Sequence, residues 1–326
     1  MRIQLARNEL KGFAIIWIIL SHTRFGLTGV FNEFIKIGYG GVDLFFFLTG
    51  FGLYYSLEKS NDLLGYTKRR ILRLFPSYLP FCLLWLCIML PLFQTNLVDS
   101  IKIIIGNLSM LGYFADAPQI INWYVSALIL FLLIAPFVIA FLQKSQKPLI
   151  TLAYLLILSF AIGICFIDSH KYIVFSRLPV FLLGMGFALP FKKLISYKII
   201  YSLSFLSLIV GITLLFFCLN RFTSQQLIST ALYWHPFVLI APSFCLLFSG
   251  FVKITPFLKC IWQPLSFIGT ASFEIFLFNV WFEKLGKSYN LASKPLDWIF
   301  LSIGSILLGI GYHMAINFFT KKRKSA

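Results

Sequence analysis

The chain has 326 residues, 59% of them hydrophobic and 12% charged, with a mean hydropathy of +0.88 and a formal net charge of +17. An ordinary soluble domain carries about 25% charged residues, and a soluble globule of this composition would leave far too much apolar surface in water. The Lys and Arg residues fall in short segments between apolar runs, which excludes a nucleic-acid-binding face and reads instead as membrane topology.

The first apolar run, 12 to 31, follows Arg2, Arg7, Glu9 and Lys11. It has about the 20 residues needed to cross roughly 30 Å of hydrocarbon. No small-residue cleavage site follows it, so it is expected to be retained as a first helix rather than removed as a leader. Further runs predict spans at 38 to 57, 71 to 93, 121 to 142 and 148 to 167. The second half adds 172 to 190, 198 to 219, 227 to 251, 264 to 284 and 296 to 319. The expected fold class is therefore all-α, a polytopic bundle of about ten transmembrane helices. Between Gln94 and Asn122 the stretch IKIIIGNLSMLGYF is apolar but too short to span, and is read as an outer re-entrant or interfacial segment.

Alternating the loops between two sides gives nineteen Lys and Arg on one side and eight on the other, with Arg177 inside a span. The positive-inside rule then predicts both termini in the cytoplasm. The richer side holds Arg2, Arg7, Lys11, Lys59, the 68–73 cluster, Lys144, Lys147, Lys192, Lys193, Lys198, Lys253, Lys259 and the Lys321–Lys324 tail. The poorer side holds Arg24, Lys36, Lys102, Lys171, Lys284 and Lys287 among others. No repeat or soluble appendage is evident, so residues 1–326 are read as one membrane domain in the cell membrane. Cys82, Cys87, Cys165, Cys218, Cys245 and Cys260 have no redox or metal-ligand spacing; they read as small core hydrophobes, and no metal is expected.

An ionisable group at the centre of a span costs about 2.5–3.5 kcal/mol on insertion scales, so such residues are the functional leads. His22 lies eleven residues beyond Lys11, about 16 Å up the first helix at 1.5 Å per residue. Glu274, some ten residues into a span that also starts inside, is expected at a similar depth and can face His22. A carboxylate that orients an imidazole and stabilises its protonated form is the arrangement of a general base or acyl-accepting histidine; the alternative is a buried His22 hydrogen-bonded to a carbonyl, with Glu274 tying helices together. Asp43, near the outer end of the second span in GGVDLFFFLTG, either orients a polar substrate or caps and pairs. Arg177 is its counter-ion or, the preferred reading, snorkels to the headgroups. In KRRILRLFP, Arg70 and Arg73 share a helix face where two guanidinium groups can bind phosphates, while Lys68 and Arg69 read as a lipid-facing anchor. His235, before Pro236, and His313 read as structural. Trp123, Tyr124 and Ser126, in NWYVSAL, open a span where an aromatic belt is expected, and can equally stack on a sugar.

Taken in order, these segments resemble the acyltransferase-3 family of membrane acyltransferases. The resemblance rests on Lys11 and His22 in ELKGFAIIWIILSH, on GGVDLFFFLTGFGL with Thr49 where a serine is usual, and on Arg70, Arg73 and Pro76. It continues through NWYVSALILFLLIAP, RLPVFLLGMGFAL and IGTASFEIFLFN, the last carrying Ser272 and Glu274. The resemblance implies a ten-helix fold that delivers an acyl group, commonly acetyl from acetyl-CoA, to a glycan hydroxyl across the membrane. His22, Glu274 and Asp43 are then the candidate catalytic residues. Lys11, Arg70 and Arg73 are the candidate donor-binding residues, and Trp123, Tyr124 and Ser126 the candidate acceptor-binding ones. The expected partners are an acyl-CoA, a glycan or lipid-linked saccharide, the bilayer and a separate extracytoplasmic or glycan-assembly protein. Asn279 stands where the family often has a second histidine; it cannot act as a general base but can hydrogen-bond substrate or a neighbouring helix. The intramembrane charges alone leave open a transporter or flippase for a glycan precursor or small solute.

Overall fold

The structure, a computed structural model, describes residues 2–23, 25, 28–57, 62–167, 169–189, 197–288 and 292–325. Arg24, Lys59, Lys192 and Lys193 of the charge count lie outside the described residues, as does the end of the 172–190 run. The described residues are helices and connecting turns, without strands.

Seven helices are long and apolar enough to cross a membrane, or up to eight if one bent pair counts as a single span. The sequence-based count of ten treated every apolar run as one full-length helix. Three of those runs differ. The first forms α1, Arg7–His22, of only 16 residues, followed by the short α2, Gly29–Lys36. The sixth is divided, with α9 at Tyr172–Phe175 and α10 at Leu178–Ala188 on either side of Ser176 and Arg177. The ninth breaks into α14, Lys259–Thr270, and α15, Ser272–Ser288, which meet at a 73° bend. Glu274 therefore lies in the first turn of a new helix rather than midway along a continuous one.

The other spans follow the sequence more closely. They are α3, Gly41–Leu57; α5, Phe75–Met89, after the short α4, Leu63–Leu72; α7, Trp123–Lys144; and α8, Pro148–Cys165. The second half adds α11, Tyr197–Arg221, α13, Phe237–Ile254, and α16, Pro295–Ser325, with the small α12 at Ser224–Ser229. The run predicted from 227 begins in the end of α12 and resumes as the long α13 only at Phe237. Pro236 takes the N-cap, a position where its missing N–H and fixed φ do no harm.

The Phe31–Leu57 stretch that contains α3 lies at the centre, with 78% of its apolar window buried inside the protein, against 11% for α16 and 17% for α8 at the periphery. Close approach at the centre depends on glycine. A side chain at Gly50 would strike the Phe181 carbonyl, and one at Gly184 would strike the Phe47 carbonyl, so α3 and α10 cross backbone against backbone. In hydrocarbon such small-residue crossings supply packing that the hydrophobic effect between helices cannot.

The segment from Gln94 to Asn122 holds α6, Leu97–Leu108, and a folded return. Asn107 fixes that return. Its amide nitrogen donates to the Ile103 and Gln119 carbonyls, at 2.8 and 2.9 Å, and its oxygen accepts from Ile121 N at 2.8 Å. Tyr78 on α5 in turn donates to the Asn107 carbonyl at 2.9 Å. This anchoring positions residues 119–123 over one end of the bundle.

Candidate active site

Two cavities lie one above the other along α1, α3, α7 and α15. The larger, about 500 Å³, is lined by His22, Trp123, Arg177, Tyr233, Glu283 and Lys284 among others. The smaller, about 150 Å³, is lined by Arg7, Lys11, Thr49, Tyr124 and Ser272 among others. Each helix contributes to both: α1 sends Lys11 to the small one and His22 to the large one, and α15 sends Ser272 and Glu283 in the same way. Phe276 lines both cavities and forms the partition between them. Its ring packs edge-on against Tyr124, centroids 5.1 Å apart.

In the large cavity His22 occupies the last turn of α1, and the end of that helix is fixed by Thr23, whose hydroxyl bonds the Ile19 carbonyl at 2.8 Å and Ser302 of α16 at 2.6 Å. His22 Nδ1 meets two oxygens, Asn279 Oδ1 at 2.7 Å and Glu283 Oε2 at 3.2 Å. Both are acceptors, so the neutral ring is suited to carry its proton on Nδ1 and keep the lone pair on Nε2. Asn279, Glu283 and Lys287 recur at helical spacing on one face of α15, and Lys287 donates to Glu283 Oε1. The asparagine in place of the expected second histidine thus hydrogen-bonds a neighbouring helix, through the first histidine.

The expected facing of His22 by Glu274 is corrected by this geometry. Glu274 Oε1 accepts from Ser77 of α5 at 2.6 Å, and Oε2 lies 3.2 Å from His313 Nδ1 on α16. Tyr312 on the same helix donates to the Ser77 carbonyl at 2.8 Å. The bend before α15 puts Glu274 at the level of the small cavity, where it interacts electrostatically with Lys11, and ties it to α5 and α16. His313 is therefore a partner of Glu274, while His235 packs edge-on to Phe160.

The snorkelling expectation for Arg177 is also corrected. Arg177 is 2% exposed and Asp43 is fully buried, with Nε and Oδ1 3.6 Å apart. The guanidinium is held between the rings of Trp123 and Trp234, at 4.9 and 5.1 Å, and Nη1 donates to the Ile173 carbonyl at 2.8 Å. Two aromatic faces and one carboxylate thus replace the headgroup water that a snorkelling side chain would seek. Asp43 does not line either cavity; its charge balances Arg177.

At the small cavity the cationic cluster is Arg7, Lys11 and Arg70, which interact electrostatically with one another. Arg7 was counted in the sequence only as a topology charge. Its spacing of four from Lys11 is the signal that both share a face of α1. The Arg7 guanidinium lies over Gly52, where any side chain would collide with it. Arg70 donates from Nε to the Tyr66 hydroxyl at 2.5 Å and from Nη2 to Ser56 Oγ at 3.0 Å. Arg73, the other half of the expected pair, is exposed and lies in the turn after α4. Arg7 and Lys11 line the small cavity, Arg70 interacts electrostatically with both without lining it, and Arg73 takes no part in that cluster. Of the aromatic segment, Trp123 lines the large cavity and Tyr124 the small one, whereas Ser126 is buried and lines neither.

A cationic pocket at one end, a histidine with a fixed tautomer at the other and an apolar partition between them suit the transfer of a group through the bundle. The chain matches the family described as the acyltransferase domain over residues 8–314 and belongs to the acyltransferase-3 family. No curated protein and no solved structure matches it. Family and apolar helical bundle together support a multi-pass membrane acyltransferase.

Proposed function

We propose that the protein is an O-acetyltransferase, or a close acyl variant of one, that moves an acyl group from a cytoplasmic acyl-CoA to a hydroxyl of a cell-surface or lipid-linked glycan. In this reading both termini are cytoplasmic, the ten apolar stretches cross the cell membrane, and the small cavity opens inward. The observation that carries it is His22, whose Nδ1–H is engaged by Asn279 and Glu283 in the cavity opposite the Arg7 and Lys11 cluster.

Arg7, Lys11 and Arg70 bind the phosphates of the donor, because guanidinium and ammonium groups out of bulk water bind phosphate strongly. The narrow pantetheine arm then carries the thioester up past Phe276. His22 Nε2 takes the proton of the acceptor hydroxyl as its oxygen attacks the thioester carbonyl. The C–S bond breaks and the proton passes to the leaving thiolate. In the two-step version His22 Nε2 itself attacks the carbonyl and thiolate leaves; the acceptor oxygen then displaces the imidazole, and its proton goes to the thiolate. Glu283 stabilises the imidazolium in either route. A histidine in this role contributes roughly 10²–10⁴-fold.

Purified protein in nanodiscs, given acetyl-CoA and an extract of surface glycans, tests the reading. Acetyl should pass to glycan with wild type and fall by that roughly 10²–10⁴-fold factor with His22→Ala. Equal transfer by the two proteins, with the variant folded and inserted normally, would remove His22 from the chemistry.

A further inference from the structure

The large cavity has a charge balance that the proposed transfer does not by itself require. Three cations line it. Arg177 is neutralised by Asp43 at 3.6 Å, and Lys287 is neutralised by Glu283. Lys284 has no carboxylate within ion-pair distance among the described residues. Its Nζ donates to the neutral Gln119 Oε1 at 2.5 Å and lies over the rings of Trp85 and Phe93, at 5.4 and 5.0 Å. Those contacts hold a half-buried ammonium in place and leave its charge uncompensated.

A second observation concerns Asn122, which is 7% exposed and lines the same cavity. Its Oδ1 is used as the N-cap of α7, accepting from Tyr124 N at 2.8 Å, and this fixes the amide orientation. The amide nitrogen, Nδ2, is buried and has no hydrogen-bond partner among the described residues. A buried donor without a partner costs about 1–3 kcal/mol, which a bound acceptor atom would relieve. The cavity is also lined by aromatic rings: Tyr39 and Tyr233, which stack with centroids 4.2 Å apart, and Trp123 and Trp234, which hold Arg177 between them. Ala231, with φ of 56°, makes the left-handed turn that brings Tyr233 and Trp234 to the cavity.

An unbalanced ammonium, an orphaned amide donor and flat aromatic faces select a ligand with a planar apolar face, many acceptor oxygens and a negative charge. We infer that the acceptor is an anionic saccharide, whose carboxylate or phosphate is bound by Lys284 while Asn122 donates to a ring substituent. This rests on the acyl-transfer reading for calling the ligand an acceptor, but the preference for an anionic sugar stands on the cavity alone.

The test uses the full chain in nanodiscs and saturation-transfer NMR with glucose, glucuronate and glucose 1-phosphate as probes. One of the two charged sugars should bind about ten- to a hundredfold more tightly than glucose. Preference for glucuronate assigns the anion to a sugar carboxylate, and preference for glucose 1-phosphate assigns it to a sugar phosphate. The advantage should vanish in Lys284→Gln, with glucose binding unchanged, and return in Lys284→Arg. Asn122→Asp keeps the capping oxygen but replaces the donor by an anion, and should also erase the advantage. Equal binding of neutral and charged sugars, no binding by any of them, or an advantage that survives Lys284→Gln would overturn the inference. Acetyl-CoA binding, measured on the same nanodiscs, reports separately on the acyl-transfer reading: its loss would sink that reading and leave the sugar preference to stand or fall alone.

Discussion

Glu283 Oε2 lies 3.2 Å from His22 Nδ1, while Glu274, nearer the start of the same helix, is held by Ser77 and His313. The two carboxylates of α15 therefore have different work. Glu283→Gln keeps an acceptor near Nδ1 but removes the charge that stabilises imidazolium. Transfer should fall about 10²-fold or more, with thermal stability little changed. Glu274→Ala should instead lower the unfolding temperature in detergent, because it leaves Ser77 and His313 without their shared partner across three helices. The opposite pattern, activity lost through Glu274 with stability intact and no effect at Glu283, would return the role to Glu274.

The donor pocket makes a matched pair of expectations. Arg7→Gln removes a cation from the cavity wall and should raise KM for acyl-CoA by about tenfold or more. Arg73→Gln changes an exposed side chain, and its effect should be within about twofold, the range of screened surface charges. Steady-state kinetics over a range of acetyl-CoA concentrations would separate the two.

Phe276 separates the cavities through its edge contact with Tyr124. Phe276→Leu keeps an apolar side chain of moderate size but loses that aromatic edge. Thioester hydrolysis without acceptor should rise, and productive transfer should fall, since water then reaches the donor. Thiol release measured with and without glycan gives the ratio directly; an unchanged ratio would mean that Phe276 is not the partition.

The buried Asp43 and Arg177 pair should behave as one unit. Removing either partner, as in Asp43→Asn or Arg177→Gln, strands a buried charge and should cost about 3–5 kcal/mol. The double variant should be less destabilised than the sum of the singles. A thermal or denaturant double-mutant cycle showing simple additivity would contradict the pairing.

Much of this was legible in the sequence because hydropathy and charge act locally. The runs 121–142 and 148–167 became helices at Trp123–Lys144 and Pro148–Cys165, close to their predicted bounds, since lipid leaves the backbone no alternative to internal hydrogen bonding. Breaks were harder to see. GTASF in the ninth run is apolar enough to read as continuous helix, and the 73° bend there moved Glu274 away from His22. Depth arithmetic along a straight helix could not anticipate that. Glu283 was not singled out: it falls at the very end of the predicted 264–284 span, beside Lys284, and only the continuation of α15 to Ser288 puts it on the same helix face as Asn279. The Asp43 and Arg177 pairing depends on α3 and α10 meeting through Gly50 and Gly184, a tertiary contact that neither segment announces alone. Arg7 shows that a cation counted toward topology can also line an inner cavity.

The central claim, that His22 drives acyl transfer onto a surface glycan, is tested most directly by mass spectrometry of surface glycans from cells carrying either the wild-type protein or His22→Ala at equal membrane levels. The account predicts one acyl increment on the glycan with wild type and its loss with the variant. An increment of the same size and abundance in both would contradict it.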